Sequence, residues 1–369
     1  MLSINSILIL GAGELGLALL ASLMHDTDQL PDSSKPSITV LLRPSSKPLP
    51  RKLSLGTNSS STVDTSHISV IKHDISSLSS SSLASLLKPY DTVISCTGFS
   101  AGKGTQLRIT QAALEAGVRR FFPWQFGVDY ERVGKGSGQD LFDEQLAVRE
   151  LLRNQGEGKT QMDWVIVSTG IFTSFIFEDS FGVVEGALSN PSGPITVRAL
   201  GSWTNALSVT SVEDIAMLTT KILFDDKVHS QVIHVAGDTI TYERLVNVVR
   251  RLFESSSSSP ISLSPSSLDE AIPVTSTREI KKELWTLPYL ASQLSQNPAD
   301  TILKYRVSFS KGVGVSWPLE ETYNKREGVE TIDVEGWLRG RIGVFRKRSE
   351  DGKGGEGEVG GLRYDHYPT

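Results

Sequence analysis

The stretch Ser6-Ile-Leu-Ile-Leu-Gly-Ala-Gly-Glu-Leu-Gly16 decides how the rest of the chain is read. A short β-branched run breaks into Gly-x-Gly-x-x-Gly at the head of an apolar helical segment, where Leu15, Leu17, Leu19, Leu20 and Leu23 can pack back on a sheet. Gly11 permits a tight strand-to-helix turn, Gly13 lets the backbone approach a pyrophosphate, and Gly16 lets the helix lie close to the strand. The first N–H groups of the helix, those of Glu14 and Leu15 among them, offer donors and a partial positive charge to that anion. The pattern points to a bound dinucleotide; the alternative is a purely structural turn.

Composition narrows the partners. Of 369 residues 21% are charged, the formal net charge is −5, and no basic stretch is concentrated enough to hold a nucleic acid. A small molecule is the default partner. The single cysteine, Cys96, excludes an internal disulfide framework and fits a reducing compartment, and no Cys/His cluster suggests a metal site. The apolar run from Ile4 to Met24 lacks a basic leader and carries Gly11, Gly13, Glu14 and Gly16 in its middle, so it reads as strand and helix rather than signal or membrane span. No other segment has the length to cross a bilayer, and a cytoplasmic protein without a membrane partner is expected.

Strand and helix signals alternate along the first half. Ile38 to Arg43 reads as a second strand, 67–72 as a third, and Asp91 to Cys96 as a fourth, with a helix over Leu78 to Leu87 before it. Gln106 to Ala116 reads as a helix, Arg119 to Phe122 as a fifth strand, Asp140 to Gln155 as an amphipathic helix and Trp164 to Ser168 as the next strand. These spacings imply an α/β fold: a Rossmann-type doubly wound parallel sheet, helices on both faces, with a smaller C-terminal substrate lobe. The expected division is 1–169 for the dinucleotide lobe, 170–345 for a mixed α/β substrate lobe that can return elements to the first, and 346–369 for a flexible tail. Serine runs at 255–259 and 264–267 mark a flexible loop, and Asp214 is a candidate cap for the helix that follows it.

The residue ending the second strand faces the adenosine ribose in such a fold, and an arginine there accommodates a 2′-phosphate. Arg43 holds that position, with Lys47 close behind, so NADP(H) is favoured over NAD(H). Asp74 follows the third strand, where it could hold the adenine edge or simply form a turn. Cys96, Thr97, Gly98 and Phe99 end the fourth strand and would pass the phosphates and ribose, because ligands lie outside the carboxyl ends of the strands. Cys96 itself reads as packing rather than nucleophile.

Arg120-Phe-Phe-Pro-Trp-Gln-Phe-Gly127 is a recognisable motif. It resembles the isoflavone reductase-like and NmrA-like branch of the atypical short-chain dehydrogenases, closest to fungal members that read Pro-Trp-Gln-Phe-Gly-Val-Asp-Tyr, here Pro123 to Tyr130. The similarity runs through Leu141 to Arg149, Trp164 to Phe175, Val212 to Ala216 and Val235 to Thr241, and covers about residues 5 to 250. The resemblance implies an NADPH-binding lobe, a small C-terminal lobe and a cleft between them for an aromatic or other bulky secondary metabolite. Within that branch some members reduce phenylpropanoid-derived compounds, and NmrA-type members bind the dinucleotide as regulators.

The reductases of this group carry a lysine four residues before an arginine on the helix after the motif. Counting back from Arg149 gives Gln145, and a neutral amide cannot transfer a proton, although it can still hydrogen-bond. Nor does Tyr-x-x-x-Lys occur. Three readings follow. A reductase of a bulky aromatic, polyketide or alkaloid-type metabolite would take its proton from water or from Tyr130, Asp129 or Lys135. A redox-neutral isomerase or cyclase would use an acid raised by apolar surroundings, Glu178 or Asp179, for rearrangement or epoxide opening. A regulator would bind NADP(H) without chemistry. Pro123, Trp124 and Phe126 fall where nicotinamide and substrate should meet, and Trp124, Gln125, Phe172, Phe175 and Phe177 are the candidates to line an aromatic pocket. The six histidines, His234 included, have no evident partner in sequence and are assigned no role.

Overall fold

A computed structural model describes residues 4–56, 61–156, 161–254 and 278–350. Both serine runs therefore lie outside the described residues. Seven parallel strands form the central sheet: β1 (Ser6–Leu10), β2 (Ser37–Leu42), β3 (Ser69–Lys72), β4 (Thr92–Ser95), β5 (Arg120–Phe122), β6 (Asp163–Ser168) and β7 (Gln231–His234). Their order across the sheet is β7-β6-β5-β4-β1-β2-β3, and in-register pairs such as Leu10 with Leu41 and with Ser95 bring the strand ends level. The order reverses between β1 and β4, which opens a crevice at the carboxyl edge beside the Gly11 turn.

Helices cover both faces. Those described are α1 (Glu14–Asp28), α2 (Ser80–Leu87), α3 (Thr105–Ala116), the single turn α4 (Tyr130–Val133), α5 (Asp140–Arg153), α6 (Val212–Leu223), α7 (Tyr242–Phe253), α8 (Leu287–Gln296), α9 (Thr301–Ser310), α10 (Tyr323–Arg326) and α11 (Val334–Glu350). One face buries Leu15, Leu19 and Leu23 of α1 against Val212, Ile215 and Ile222 of α6. The other packs Leu83 and Leu87 of α2, Ile109 of α3 and Val148 of α5 under Leu8, Val93 and Phe121. Continuous apolar strands such as Ile7 to Leu10 suit a sheet covered on both sides.

The second half of the chain does two jobs. α6 and β7 return to the first lobe and complete its sheet and one of its helix layers, because Gln231 to His234 pair with β6. Strands Val184–Glu185, Ile195–Leu200 and Ile280–Trp285 form one small sheet, and Asp238–Thr241, Ala206–Thr210 and Ile171–Phe172 another; with α7 and α9 they enclose a separate aromatic core. α6 is capped by Ser211, whose hydroxyl accepts from the Asp214 N–H at 3.0 Å; Asp214 is thus the capped residue, and its carboxylate accepts instead from Ile332 N–H. α11 continues past residue 346, where the tail was expected to start, since 346–350 holds no Gly or Pro to stop it; 351–369 lie outside the described residues.

Two buried devices lock the layers. Arg120, 2% exposed, pairs with Asp163 at 3.0 Å and donates to the carbonyls of Ile222 and Val228, joining β5, β6 and the end of α6. The loops after β5 and β6 are joined where the Gly127 carbonyl accepts both the Thr169 and Gly170 N–H groups at 3.0 Å. Gly170 has φ +72°, and a Cβ there would lie 1.9 Å from the Ser208 carbonyl oxygen. Gly170→Ala is therefore expected to cost about 3 kcal/mol, seen as a lowered urea midpoint; an unchanged midpoint would show that these loops do not need the close approach.

Candidate functional site

At the Gly-rich turn, Gly11 adopts φ +95°, and a Cβ on Gly16 would fall 2.2 Å from the Gly11 carbonyl oxygen. Gly13 occupies the N-cap of α1 with no side chain to cap it, leaving the first-turn N–H groups directed into the crevice. The Leu15 side chain is in the core, so only its backbone can serve a ligand. The β4 end closes the other side: Cys96 N–H and Thr97 Oγ1 donate to the Leu10 carbonyl at 2.9 and 3.1 Å, and Gln106 Nε2 donates to the Thr97 carbonyl at 2.8 Å. Phe99 is buried after Gly98, and burial pushes the Cys96 thiol far up, which keeps it an inert packing group. A bare helix N-terminus, two glycines that admit no side chain and an open carboxyl edge fit a dinucleotide pyrophosphate.

At the adenosine end Arg43 and Lys47 are exposed beyond β2. Asp74 accepts from the Ser76 hydroxyl at 2.6 Å and from its N–H at 2.9 Å, bonds that hold its carboxyl below the usual range with a smaller contribution from the charge of Arg43. Asp74 thus builds a turn beside Arg43.

The cavity lies farther along the same edge. It is open to solvent at its mouth and is lined by Trp124, Phe126, Phe172 and Phe175, with the phenol rings of Tyr130 and Tyr305 on its wall. Trp124 meets Phe126 edge-on at 5.8 Å and Phe172 at 6.4 Å, and Phe142 stands edge-on between Tyr130 at 5.2 Å and Tyr305 at 5.5 Å. Such walls favour a flat apolar ligand whose few polar atoms meet the phenol hydroxyls. Burial raises the Tyr130 phenol, only partly offset by Arg149 beside its ring, so it stays protonated.

Behind the cavity runs a buried polar chain. Arg149, 1% exposed, donates from Nε to Gln125 Oε1 at 2.8 Å, from Nη1 to Asp129 Oδ1 at 3.3 Å and from Nη2 to Ser168 Oγ at 3.4 Å. Gln125 Nε2 donates to the Gln145 carbonyl at 2.9 Å, and His234 reaches Asp129 Oδ2 at 3.3 Å. Glu144, the neighbour of Gln145, accepts from the N–H groups of Gly104, Gln106 and Leu107 and so caps α3 from α5. The Gln145 side chain is fully buried, and neither its Oε1 nor its Nε2 has a hydrogen-bond partner.

Several expectations are corrected by these contacts. Gln125 points into the Arg149 chain and not into the cavity. Phe177 stacks on Trp337 at 5.3 Å, in the core of the second lobe, because it sits off the face of the 3-10 turn Thr173–Phe177 that carries Phe175. Asp129 is no proton donor: burial opposes its charge, but the hydrogen bond and charge of His234 and the charge of Arg149 hold its carboxyl down at about 2, and it caps α4. Lys135 is exposed in the loop after α4. Asp179 accepts from Gly186 N–H and Ser189 Oγ and organises its own loop. Glu178 differs: burial pushes its carboxyl up to about 8, only partly countered by a hydrogen bond from Ser180, while the charge of Glu14 pushes it up further. His234 and Glu144 carry no local sequence signal, since their partners are brought by other elements of the fold.

The NmrA-like family model matches residues 5–282. The chain belongs to the NmrA-like family. An NmrA-like family domain-containing oxidoreductase of Gibberella moniliformis is 35% identical over 345 residues, 91% of this chain and 97% of that protein. Phenylcoumaran benzylic ether reductase POP1 of Populus trichocarpa is 30% identical over 45% of this chain and 53% of its own length. In fold, the chain is similar to a leucoanthocyanidin reductase from Vitis vinifera, with TM-score 0.63 and 17% identity over 92% of this chain and 99% of that one. It is also similar to an isoflavone reductase, with TM-score 0.62 and 16% identity over 91% and 98%. No described helix is long and apolar enough to cross a membrane.

The Asp129 carboxyl is lowered in the folded protein, so the stability it adds is present above its ordinary value of 3.8 and lost as pH falls through about 2. Asp129→Asn should cost about 2 kcal/mol at pH 7 and flatten the stability curve between pH 4 and 2, read by urea unfolding across that range. A variant with the wild-type acid limb would contradict this assignment.

Proposed function

We propose that this protein is an NADPH-dependent reductase of a bulky aromatic, polyketide or alkaloid-type secondary metabolite. The observation that carries the reading is the aromatic cavity at the carboxyl ends of β5 and β6, on the same sheet edge as the Gly11–Gly16 turn. The kinship with an oxidoreductase of the same family over nearly its whole length supports it. So do fold relatives solved with NADPH, and one with NADP+ and (+)pinoresinol.

In this reading the Glu14 and Leu15 N–H groups hold the pyrophosphate and Arg43, with Lys47, meets the 2′-phosphate. When bound, the reduced nicotinamide supplies the hydride. Trp124, Phe126, Phe172 and Phe175 orient the ring system and exclude water, which fixes the approach of the reacting carbon. The Tyr130 hydroxyl, neutral because burial raises it, holds a proton at Oη on the cavity wall and donates it to the oxygen that gains charge. Gln145, where the resemblance puts a lysine, has no ionisable proton to transfer and is not among the residues that line the cavity.

One observation favours a second reading. A Glu178 carboxyl raised to about 8 is a neutral acid at pH 7, as a redox-neutral rearrangement would need.

Titration with NADPH and NADH, followed by an aromatic metabolite screen at the nicotinamide absorbance, tests both. NADPH should bind at least tenfold more tightly than NADH, and Arg43→Asp should remove that preference. Trp124→Ala should raise KM for the substrate tenfold or more, with dinucleotide affinity little changed. Substrate conversion at constant mass without NADPH loss would establish the second reading, and tight binding without any turnover would leave a dinucleotide-sensing regulator.

A further inference from the structure

Three contacts fix the Tyr130 phenol on the cavity wall. Phe142 meets its ring edge-on at 5.2 Å, the Arg149 guanidinium carbon lies 5.4 Å from its ring centroid, and its hydroxyl fills the space of the side chain that Gly127 lacks. A Cβ on Gly127 would stand 2.5 Å from Tyr130 Oη and 3.4 Å from Cζ. Gly127 and Tyr130 both line the cavity, so the hydroxyl sits at its wall, while Arg149 is not among the lining residues. Phe142 and Arg149 lie two turns apart on one face of α5, which thus supplies both the apolar and the cationic side of the seat.

The charges around the ring are held in order. Arg149 pairs with Asp129 at 3.3 Å and Glu131 at 3.5 Å, the residues on either side of Tyr130, and Glu131 also pairs with Arg153. His234 meets Asp129 from β7 at 3.3 Å. The two carboxylates keep the guanidinium beside the phenol. A cation is drawn to an aromatic face, and far more strongly once the phenol has lost its proton, because a full charge then faces it. Both side chains are buried, which leaves that attraction poorly screened and otherwise opposes the phenolate. We propose that Arg149 is a positioning residue for proton transfer: through its contact with the Tyr130 ring it stabilises the phenolate that forms when Oη gives its proton to the substrate. The inference rests on the reductase reading above and adds to it the group that lets a buried tyrosine act as an acid.

In that step the substrate carbon accepts the hydride supplied by NADPH, and the displaced electron pair moves to the substrate oxygen. The O–H bond of Tyr130 breaks as a new one forms on that oxygen. The phenolate takes a proton from water at the open mouth once product has left. Arg149 keeps its own protons throughout and acts through the ring alone.

Trifluorotyrosine in place of Tyr130 tests this without a substrate, because ring fluorination brings phenol ionisation toward neutral pH and supplies a fluorine NMR signal. The full chain so labelled is titrated between about pH 5 and 10 with Arg149 intact, as Arg149→Met and as Arg149→Lys. The midpoint should rise by about one pH unit or more in Arg149→Met, a tenfold change in the ionisation constant, and by less in Arg149→Lys, which keeps the charge. The Arg149 Nε resonance gives a second reading that needs no change at 149, and it should shift with the same midpoint as the fluorine signal. A midpoint unmoved by loss of the cation, an equal rise in both variants, a phenol that stays protonated throughout with Arg149 present, or an Nε signal indifferent to the ring overturns the proposal. Each of these leaves the reductase reading intact. NADPH titration of the same protein keeps the two apart, since absence of binding overturns the reductase reading and with it the proton transfer.

Discussion

A guanidinium removed from water at the back of the cleft sets the terms for everything in front of it. Arg149 on α5 is 1% exposed, and a cation so placed is tolerated only if its donors are met. They are met by Gln125 and Asp129 from the loop after β5 and by Ser168 at the end of β6. Asp129 in turn engages His234 at the end of β7. Arg149 therefore holds α5 to the carboxyl ends of β5 and β6, and the Asp129–His234 contact extends the link to β7. The loops that line the cavity inherit their geometry from that anchoring, and Gly127 and Gly170 complete it by letting two backbones touch.

That arrangement separates holding from chemistry. The ionised groups of the region, Asp129 and Arg149 with Glu131 and Arg153 beside them, pair with one another, while the cavity wall carries the neutral phenol of Tyr130. A neutral amide at Gln145 fits this division. A lysine beside the Arg149 chain would need a counter-charge or a path to solvent. The amide of Gln145 leaves a donor and an acceptor without partners, at the cost of two unmade hydrogen bonds.

The two halves of the chain are interleaved rather than apposed. α6 packs on α1, and β7 extends the sheet, so the elements that carry the dinucleotide turn and those that lead into the small lobe share one core. The 3-10 turn that carries Phe175 follows β6 after Gly170 and the short strand Ile171–Phe172.

What could be read from the chain alone is what depends on neighbouring residues. The strand, turn and helix at Ser6 to Gly16 follow from local backbone sterics, because only glycine accepts the φ of Gly11 and the contact at Gly16. The parallel alternation and the place of Arg43 at the end of β2 follow from spacing and connection rules that act over short stretches. The directions of side chains at the site did not follow. Phe175 faces the cavity and Phe177 the core because the segment winds as a 3-10 turn, which composition does not announce. Gln125 looked like a substrate contact until the fold supplied Arg149 at 2.8 Å, and His234 had no partner until Asp129, 105 residues away, was brought beside it. Burial opposes the charge of both carboxyls, and His234 and Arg149 keep Asp129 ionised while Glu178 is raised; burial and partners alike belong to the assembled packing, so the protonation of these groups was decided only by the tertiary structure.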